Sequence, residues 1–421
     1  MKSDLDRLMK SRRFDALLVM GPGPHNPPMY YLTNGVSIGA GSVLIKKRGA
    51  APILFVNGME RDEAAKSGLR VVDTGRYRFR EILKEEKGDQ TRALVRYYGK
   101  MLAEAGVKGT VAAYGLRDAG AAYHLLNALN HSRLGVTIVG EVGDNLFSLA
   151  RGTKDAAEIK RIRAVAKKTL AVVAETQEFI TSHRARNGVL VRKDDARLTV
   201  GDVKRFINFK LAEQGIVDAE GGAIFAIGRD AGVPHSRGND RDPLTLGKTI
   251  VFDIFPAEPG GGYCYDFTRT WCLGYAPDHV LAAYEDVHAA YTRALKAFRP
   301  NTPASEYQKM TCDFFESRGH PTIQSDPETT CGYVHSLGHG LGLSVHEWPS
   351  LSDYEGNEAK LLPGAVFTVE PGLYYPDHPK GGFGVRLEDS VWLNPETLKF
   401  EVLAKYPMDL VLTVKEVGRR K

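Results

Sequence analysis

Five residues of this chain have the types needed to hold metal ions, and each sits where a charged group needs a reason to be. Asp253 lies in Thr249-Ile-Val-Phe-Asp-Ile-Phe255 and Asp266 in Tyr263-Cys-Tyr-Asp-Phe-Thr-Arg-Thr-Trp271. Glu370 ends Val366-Phe-Thr-Val-Glu, and Glu388 lies within Gly384-Val-Arg-Leu-Glu-Asp-Ser-Val-Trp392. Each carboxylate is embedded in an apolar β-type run, where an unpaired charge is costly. Between the two pairs stands His335-Ser-Leu-Gly-His339-Gly-Leu-Gly-Leu-Ser-Val-His346-Glu-Trp-Pro349. The glycines beside His339 let backbone approach closely. Four carboxylates would repel one another in one pocket but balance two divalent cations sharing a hydroxide, which points to dinuclear metal-assisted hydrolysis. Oxygen-rich ligation with one imidazole suits manganese first, then zinc, cobalt or iron(II).

The elements that must position these groups are readable in outline. With 421 residues, 43% of them hydrophobic, the chain exceeds the usual length of one domain. Residues 1–150 alternate short strands and helices: a helix from Leu5 to Arg13, strands at Ala16–Met20, Ser42–Ile45, Pro52–Val56 and Arg70–Asp73, and helices near Arg92–Ala105 and Ala119–Asn130. This pattern predicts a small α/β domain. At Gly152-Thr-Lys-Asp155 a helix start signal precedes the amphipathic run Ala156–Ile180, which places the boundary there and a second domain over 151–421. In that domain helices are expected near 200–214 and 277–298. A further helix is expected with Thr302 as N-cap and Pro303 as its first residue. The two aspartates are expected on one face of a hairpin closed by a Pro/Gly-rich loop, and Gly384–Trp392 as one strand. The fold class is α+β.

Composition removes several functions. The formal charge of +5 is scattered among acidic residues rather than gathered into a nucleic-acid footprint. The four cysteines lack the short spacing of a zinc knuckle or redox motif. No apolar stretch is long enough to span a bilayer, and the first residues lack the core of a signal peptide, so a cytoplasmic protein is expected. No glycine cluster makes a dinucleotide fingerprint.

These motifs, in this order, resemble the creatinase and aminopeptidase P metallopeptidases of the pita-bread fold, which include Xaa-Pro aminopeptidases and prolidases. Val233-Pro-His235, Asp266-Phe-Thr-Arg-Thr270, His335 to Leu343, His346-Glu, Thr368-Val-Glu-Pro-Gly372 and Gly384-Val-Arg386-Leu-Glu-Asp389 carry the resemblance. It implies a catalytic pita-bread domain preceded by a creatinase-type domain that dimerises and restricts access. It implies that Asp253 chelates one metal, that His339 and Glu370 hold the other, and that Asp266 and Glu388 bridge. Glu370 would also shuttle a proton to the leaving prolyl nitrogen. His235, His335 and His346 would bind substrate and stabilise the oxyanion, and Arg386 would orient Asp253. The implied reaction is hydrolysis of the bond before proline in a peptide substrate.

Two positions depart from the family pattern. Ile254-Phe255-Pro256 follows the first aspartate, where a glycine is common, and Ser350 stands where some prolidases carry an arginine for the prolyl carboxylate. Ser350 favours an Xaa-Pro aminopeptidase over an Xaa-Pro dipeptidase. The complete ligand set argues against metal-independent creatinase-type hydrolysis and against a non-catalytic peptide-binding module. The N-terminal domain argues against a methionine aminopeptidase.

Overall fold

A computed structural model of the chain describes residues 4–416. The chain separates into two compact units, Met1–Arg151 with Gly260–Gly262, and Gly152–Pro259 with Tyr263–Lys421. The first is built on six strands: β1 (Ala16–Met20), β2 (Val43–Lys47), β3 (Ile53–Val56), β4 (Arg70–Asp73), β5 (Gly109–Gly115) and β6 (Val136–Val139). They lie in the order β4-β3-β2-β1-β5-β6. β1 is antiparallel to β2 but parallel to β5, so the sheet is mixed. Leu18, Ile45, Phe55 and Val111 form its core with Met101 of the helix Gln90–Glu104. β5 escapes the sequence reading because Gly109-Thr-Val-Ala-Ala-Tyr-Gly is rich in alanine and glycine, which carry little strand signal.

The second unit packs long helices on strands. The helix Ala156–Thr181 starts at an N-cap aspartate, Asp155, whose side chain accepts from the Glu158 backbone while Glu158 reciprocates. This capping box satisfies two donors that the first turn would otherwise leave free. Val200–Glu213 starts the same way, with Thr199 and Asp202. The helix after Asp278–Ala297 begins at Ser305, not at Pro303. Thr302 and Pro303 instead meet the Lys360–Leu361 segment, where the Leu361 N–H donates to the Thr302 carbonyl. Among the described residues no helix is long and apolar enough to cross a membrane.

Three antiparallel pairings bring the acidic residues together. Thr249–Ile254 pairs with Phe267–Leu273, with Asp253 opposite Thr268. Asp266 precedes Thr268 by two residues and therefore shares its face. The returning strand starts at Phe267 rather than at Tyr263. The expected strand Gly384–Trp392 is divided: Phe383–Arg386 pairs with Gly372–Tyr375, and Asp389–Leu393 pairs with Val366–Val369. Both breaks fall at the same level, around Glu370-Pro371 and Leu387-Glu388. Pro371 has no N–H to give the ladder, and the Glu388 backbone bonds Thr268 of the neighbouring sheet instead. The register nevertheless runs on unchanged, from Val369↔Asp389 to Gly372↔Arg386, which sets Glu370 opposite Glu388.

Candidate metal centre

The Glu370/Glu388 pairing and the Asp253/Asp266 hairpin face one cavity of about 330 Å³, and His339 completes it. His339 arrives on a two-residue strand, His339–Gly340, held between Glu347–Ser350 and Val366–Val369. Its neighbours must be glycine: a Cβ at Gly338 would stand 2.0 Å from the Thr368 carbonyl oxygen, and one at Gly340 would stand 2.1 Å from that of Trp348. The His339 Nδ1–H donates to the Gly340 carbonyl at 3.1 Å, which turns Nε2 toward the acids. Nε2 lies 3.2 Å from Glu370 Oε1 and 3.7 Å from Asp266 Oδ2. One ligand atom each from Asp266, His339 and Glu388 lies within 4.8 Å of the others.

The electrostatics of this cluster fit cations. Burial pushes Asp266 well above the ordinary carboxylate range, and the charges of Glu388 and Asp253 push it further. Glu388 is raised by burial and by Glu370 and Asp253, and Asp253 by burial, against the pull of Arg386. Like charges directly opposite on paired strands destabilise them. Burial raises Glu370 too, but the hydrogen bond and charge of His339 outweigh it and hold it at about 2. Asp253 Oδ1 and Glu388 Oε1 are buried and, among the described residues, have no hydrogen-bond partner. Hard oxygen donors left unpaired beside an imidazole nitrogen are the donor set a divalent ion needs. The residues present therefore fit a metal centre.

Around the acids runs a chain of hydrogen bonds. Arg386 donates through Nη2 to Asp253 Oδ2, through Nη1 to the Tyr374 hydroxyl at 3.0 Å, and through Nε to Thr268 Oγ1 at 3.2 Å. Thr268 Oγ1 donates to Glu388 Oε2 at 2.6 Å. The Tyr374 hydroxyl donates to His335 Nε2 at 2.9 Å, while His335 Nδ1–H donates to the Ser336 carbonyl at 2.7 Å. Both ring nitrogens of His335 are thus engaged, and His335 is not on the cavity wall; burial lowers its pKa and keeps it neutral. His235 and His346 do line the cavity, as does Arg386. His346 packs 4.1 Å from the His339 ring, and burial and that neighbour bring its pKa to about 4. The next residue, Glu347, is fixed by a buried ion pair with Lys154 at 2.6 Å.

Thr268 and Tyr374 were not among the residues singled out from sequence. Thr268 lies inside the Asp266-Phe-Thr-Arg-Thr motif, so its signal was present, whereas a tyrosine after Pro371-Gly-Leu carries none until the fold brings it between His335 and Arg386. Tyr374→Phe leaves a buried guanidinium donor and a buried imidazole acceptor unpaired. It is expected to cost about 1–3 kcal/mol of stability, measured by urea unfolding. An unchanged midpoint would show that the hydroxyl bridge contributes nothing.

Residues 160–395 match the model of metallopeptidase family M24. The Xaa-Pro dipeptidase of Pyrococcus furiosus is 34% identical over 176 residues, which cover 42% of this chain and 45% of that protein. Probable dipeptidase PepE of Mycobacterium tuberculosis H37Rv is 28% identical over 340 residues, covering 81% of this chain and 76% of that protein. The alignments with the Pyrococcus furiosus protein and a Bacillus subtilis relative span about half the length of those proteins, 45% and 51%. The crystal structure of X-Pro aminopeptidase from Thermotoga maritima superposes with a TM-score of 0.72 at 22% identity, over 97% of this chain and all of that one. The prolidase of Pyrococcus horikoshii gives 0.72 at 23%, over 97% and 99%. These likenesses establish the expected fold over nearly the whole chain. Since the family match spans more than half of the sequence and takes in all five acid and imidazole positions that converge on the cavity, the chain is an enzyme of metallopeptidase family M24.

Proposed function

We propose that this chain is an Xaa-Pro peptidase that uses two divalent ions, manganese first among them, to hydrolyse the bond before proline and release the N-terminal residue. The observation that carries this is the convergence of Asp253, Asp266, His339, Glu370 and Glu388 on a cavity that also presents His235, His346 and the apolar side chains Ile224, Phe255 and Val345. The five acid and imidazole residues would hold the metals. Bound there, two divalent ions polarise a carbonyl and make water nucleophilic near neutral pH. Glu370 has a carboxylate oxygen that would take a proton from the attacking water and pass it to the prolyl nitrogen. Neutral His346 can donate a hydrogen bond where charge develops on the carbonyl oxygen. Arg386 keeps Asp253 in place, and the apolar wall offers a surface for the pyrrolidine ring.

The names of the relatives and of the superposed structures support proline as the residue after the cleaved bond. The resemblance also supports a cytoplasmic homodimer. The test is cleavage by chelator-stripped, full-length protein reconstituted with manganese. An Xaa-Pro-containing peptide is expected to be hydrolysed and its Xaa-Ala counterpart to be a poor substrate. Equal rates on the two would sink the proline reading while leaving a metallopeptidase.

A second reading, Xaa-Pro dipeptidase, gains from two observations. Ser350, on which the preference for a longer substrate rests, is not on the cavity wall, and its hydroxyl donates to Ser352 Oγ at 3.1 Å. Arg237 is on that wall.

A further inference from the structure

We propose that Arg237 recognises the free C-terminal carboxylate of the substrate, and so directs the enzyme to dipeptides. This rests on the Xaa-Pro reading of the cavity and goes beyond it by naming the substrate class and the residue that selects it.

Among the described residues two arginines, and no lysine, line the cavity. Arg386 is buried and spent on Asp253, Tyr374, Thr268 and the Pro234 carbonyl. Arg237 is exposed at the rim, two residues after His235, and among the described residues no carboxylate forms an ion pair with it. Its guanidinium is nonetheless held in place: Nη1 donates to the Gly222 carbonyl and Nη2 to the Glu220 carbonyl at 2.6 Å. The turn is shaped for this contact. Gly221 and Gly222 have φ of +83° and +113°, which glycine adopts without strain. A Cβ at Gly222 would stand 3.1 Å from Arg237 Nη1.

Of the five N–H donors of a guanidinium, two are thus used for positioning and three remain. A planar cation fixed in advance by backbone carbonyls can take a carboxylate with two parallel hydrogen bonds, and little side-chain freedom is lost when it does. In a cavity otherwise dominated by acidic groups, a substrate carboxylate has this one arginine to pair with. A longer peptide would offer a neutral amide at that point and leave the guanidinium unmatched. The carboxylate-binding cation missing at position 350 is therefore supplied from a different segment of the chain.

The experiment uses the full chain reconstituted with manganese and three substrates: an Xaa-Pro dipeptide, the same dipeptide as its C-terminal amide, and an Xaa-Pro-Yaa tripeptide. Wild type is expected to show a KM for the free acid about 10- to 100-fold below that for the amide, the range expected for a charge-assisted pair. Arg237→Met is expected to bring the acid-to-amide KM ratio close to one. Arg237→Lys, which keeps the charge but loses the fork, should retain part of the preference and serves if the methionine variant does not fold. A wild type that takes the amide or the tripeptide with the KM of the free acid overturns the proposal. So does an Arg237→Met, or in its place an Arg237→Lys, that keeps the full wild-type ratio, since Arg237 would then only hold the turn. Cleavage of none of the three by wild type overturns the Xaa-Pro reading, and this inference with it.

Discussion

Asp266→Asn is expected to lower kcat/KM by about 10³-fold or more, and in metal-free protein to raise the unfolding temperature. The two effects have one cause. Asp266 is buried among Glu388, Asp253 and Glu370, and its pKa lies well above the ordinary range because burial and then those charges oppose ionisation. A carboxylate whose folded-state pKa is raised lends stability fully only below its unfolded value, about 3.9, and that stability is lost as pH rises through the folded value. Glu388 and Asp253 share this direction. Glu370, held at about 2, has the opposite sign, and its contribution is lost only as pH falls toward 2. Above pH 4 the raised groups govern, so metal-free wild type loses stability toward neutrality.

An amide at position 266 removes one of those charges, and the advantage of the variant should widen with pH. If Asp266 holds the metal as proposed, added manganese is expected to reverse the order, since it would stabilise wild type and would lack one of its ligands in the variant. Thermal unfolding of chelator-treated protein at pH 5 and pH 8, with and without manganese, measures all of this. A metal-free Asp266→Asn that melts below wild type at pH 8 would show that the acids are not in mutual conflict.

Arg386→Met is expected to destabilise the protein by about 3–5 kcal/mol and to reduce activity in parallel. The guanidinium is buried and its donors meet four separate acceptors, on Asp253, Tyr374, Thr268 and Pro234. Methionine fills much of the space but leaves a buried carboxylate and a buried hydroxyl without their donor. Arg386→Lys restores the charge as a point rather than a fork and can serve only some of those acceptors, so it should fall between wild type and the methionine variant. Urea midpoints order the three proteins. Equal midpoints for wild type and Arg386→Met would mean that relaxation or water replaces the lost bonds.

The candidate metal ligands were legible because an acid inside an apolar strand run contradicts its surroundings, and four such contradictions in one chain have few resolutions. The strands of the first unit read at Ala16–Met20, Ser42–Ile45, Pro52–Val56 and Arg70–Asp73, each within a residue of its observed start, were legible for the opposite reason, since pattern and propensity agree there. What could not be read depends on contacts distant in sequence. Tyr374 meets His335 across a separation of 39 positions, which only the folded chain closes. Arg237 acquires its place from carbonyls 15 and 17 residues earlier. His335 shares a motif with His339 and His346, yet local spacing cannot tell that its ring points to Tyr374 rather than into the cavity. The helix start at Ser305 was missed because Thr302-Pro303, a good capping pair by composition, is taken by backbone pairing with Lys360.

The register that runs unchanged past Glu370 and Glu388 also separates what can vary from what cannot. The two carboxylates are clamped from both ends, by Val366–Val369 against Asp389–Leu393 on one side and by Gly372–Tyr375 against Phe383–Arg386 on the other. A one-residue slip would have to break both ladders at once and would turn every side chain to the wrong face. The segment 376–382 that closes the second pairing lies outside the clamp. Residues added to the tip of that turn are expected to leave the alignment of the acids unshifted. Loop length there and the spacing of Glu370 and Glu388 are therefore set by separate parts of the chain.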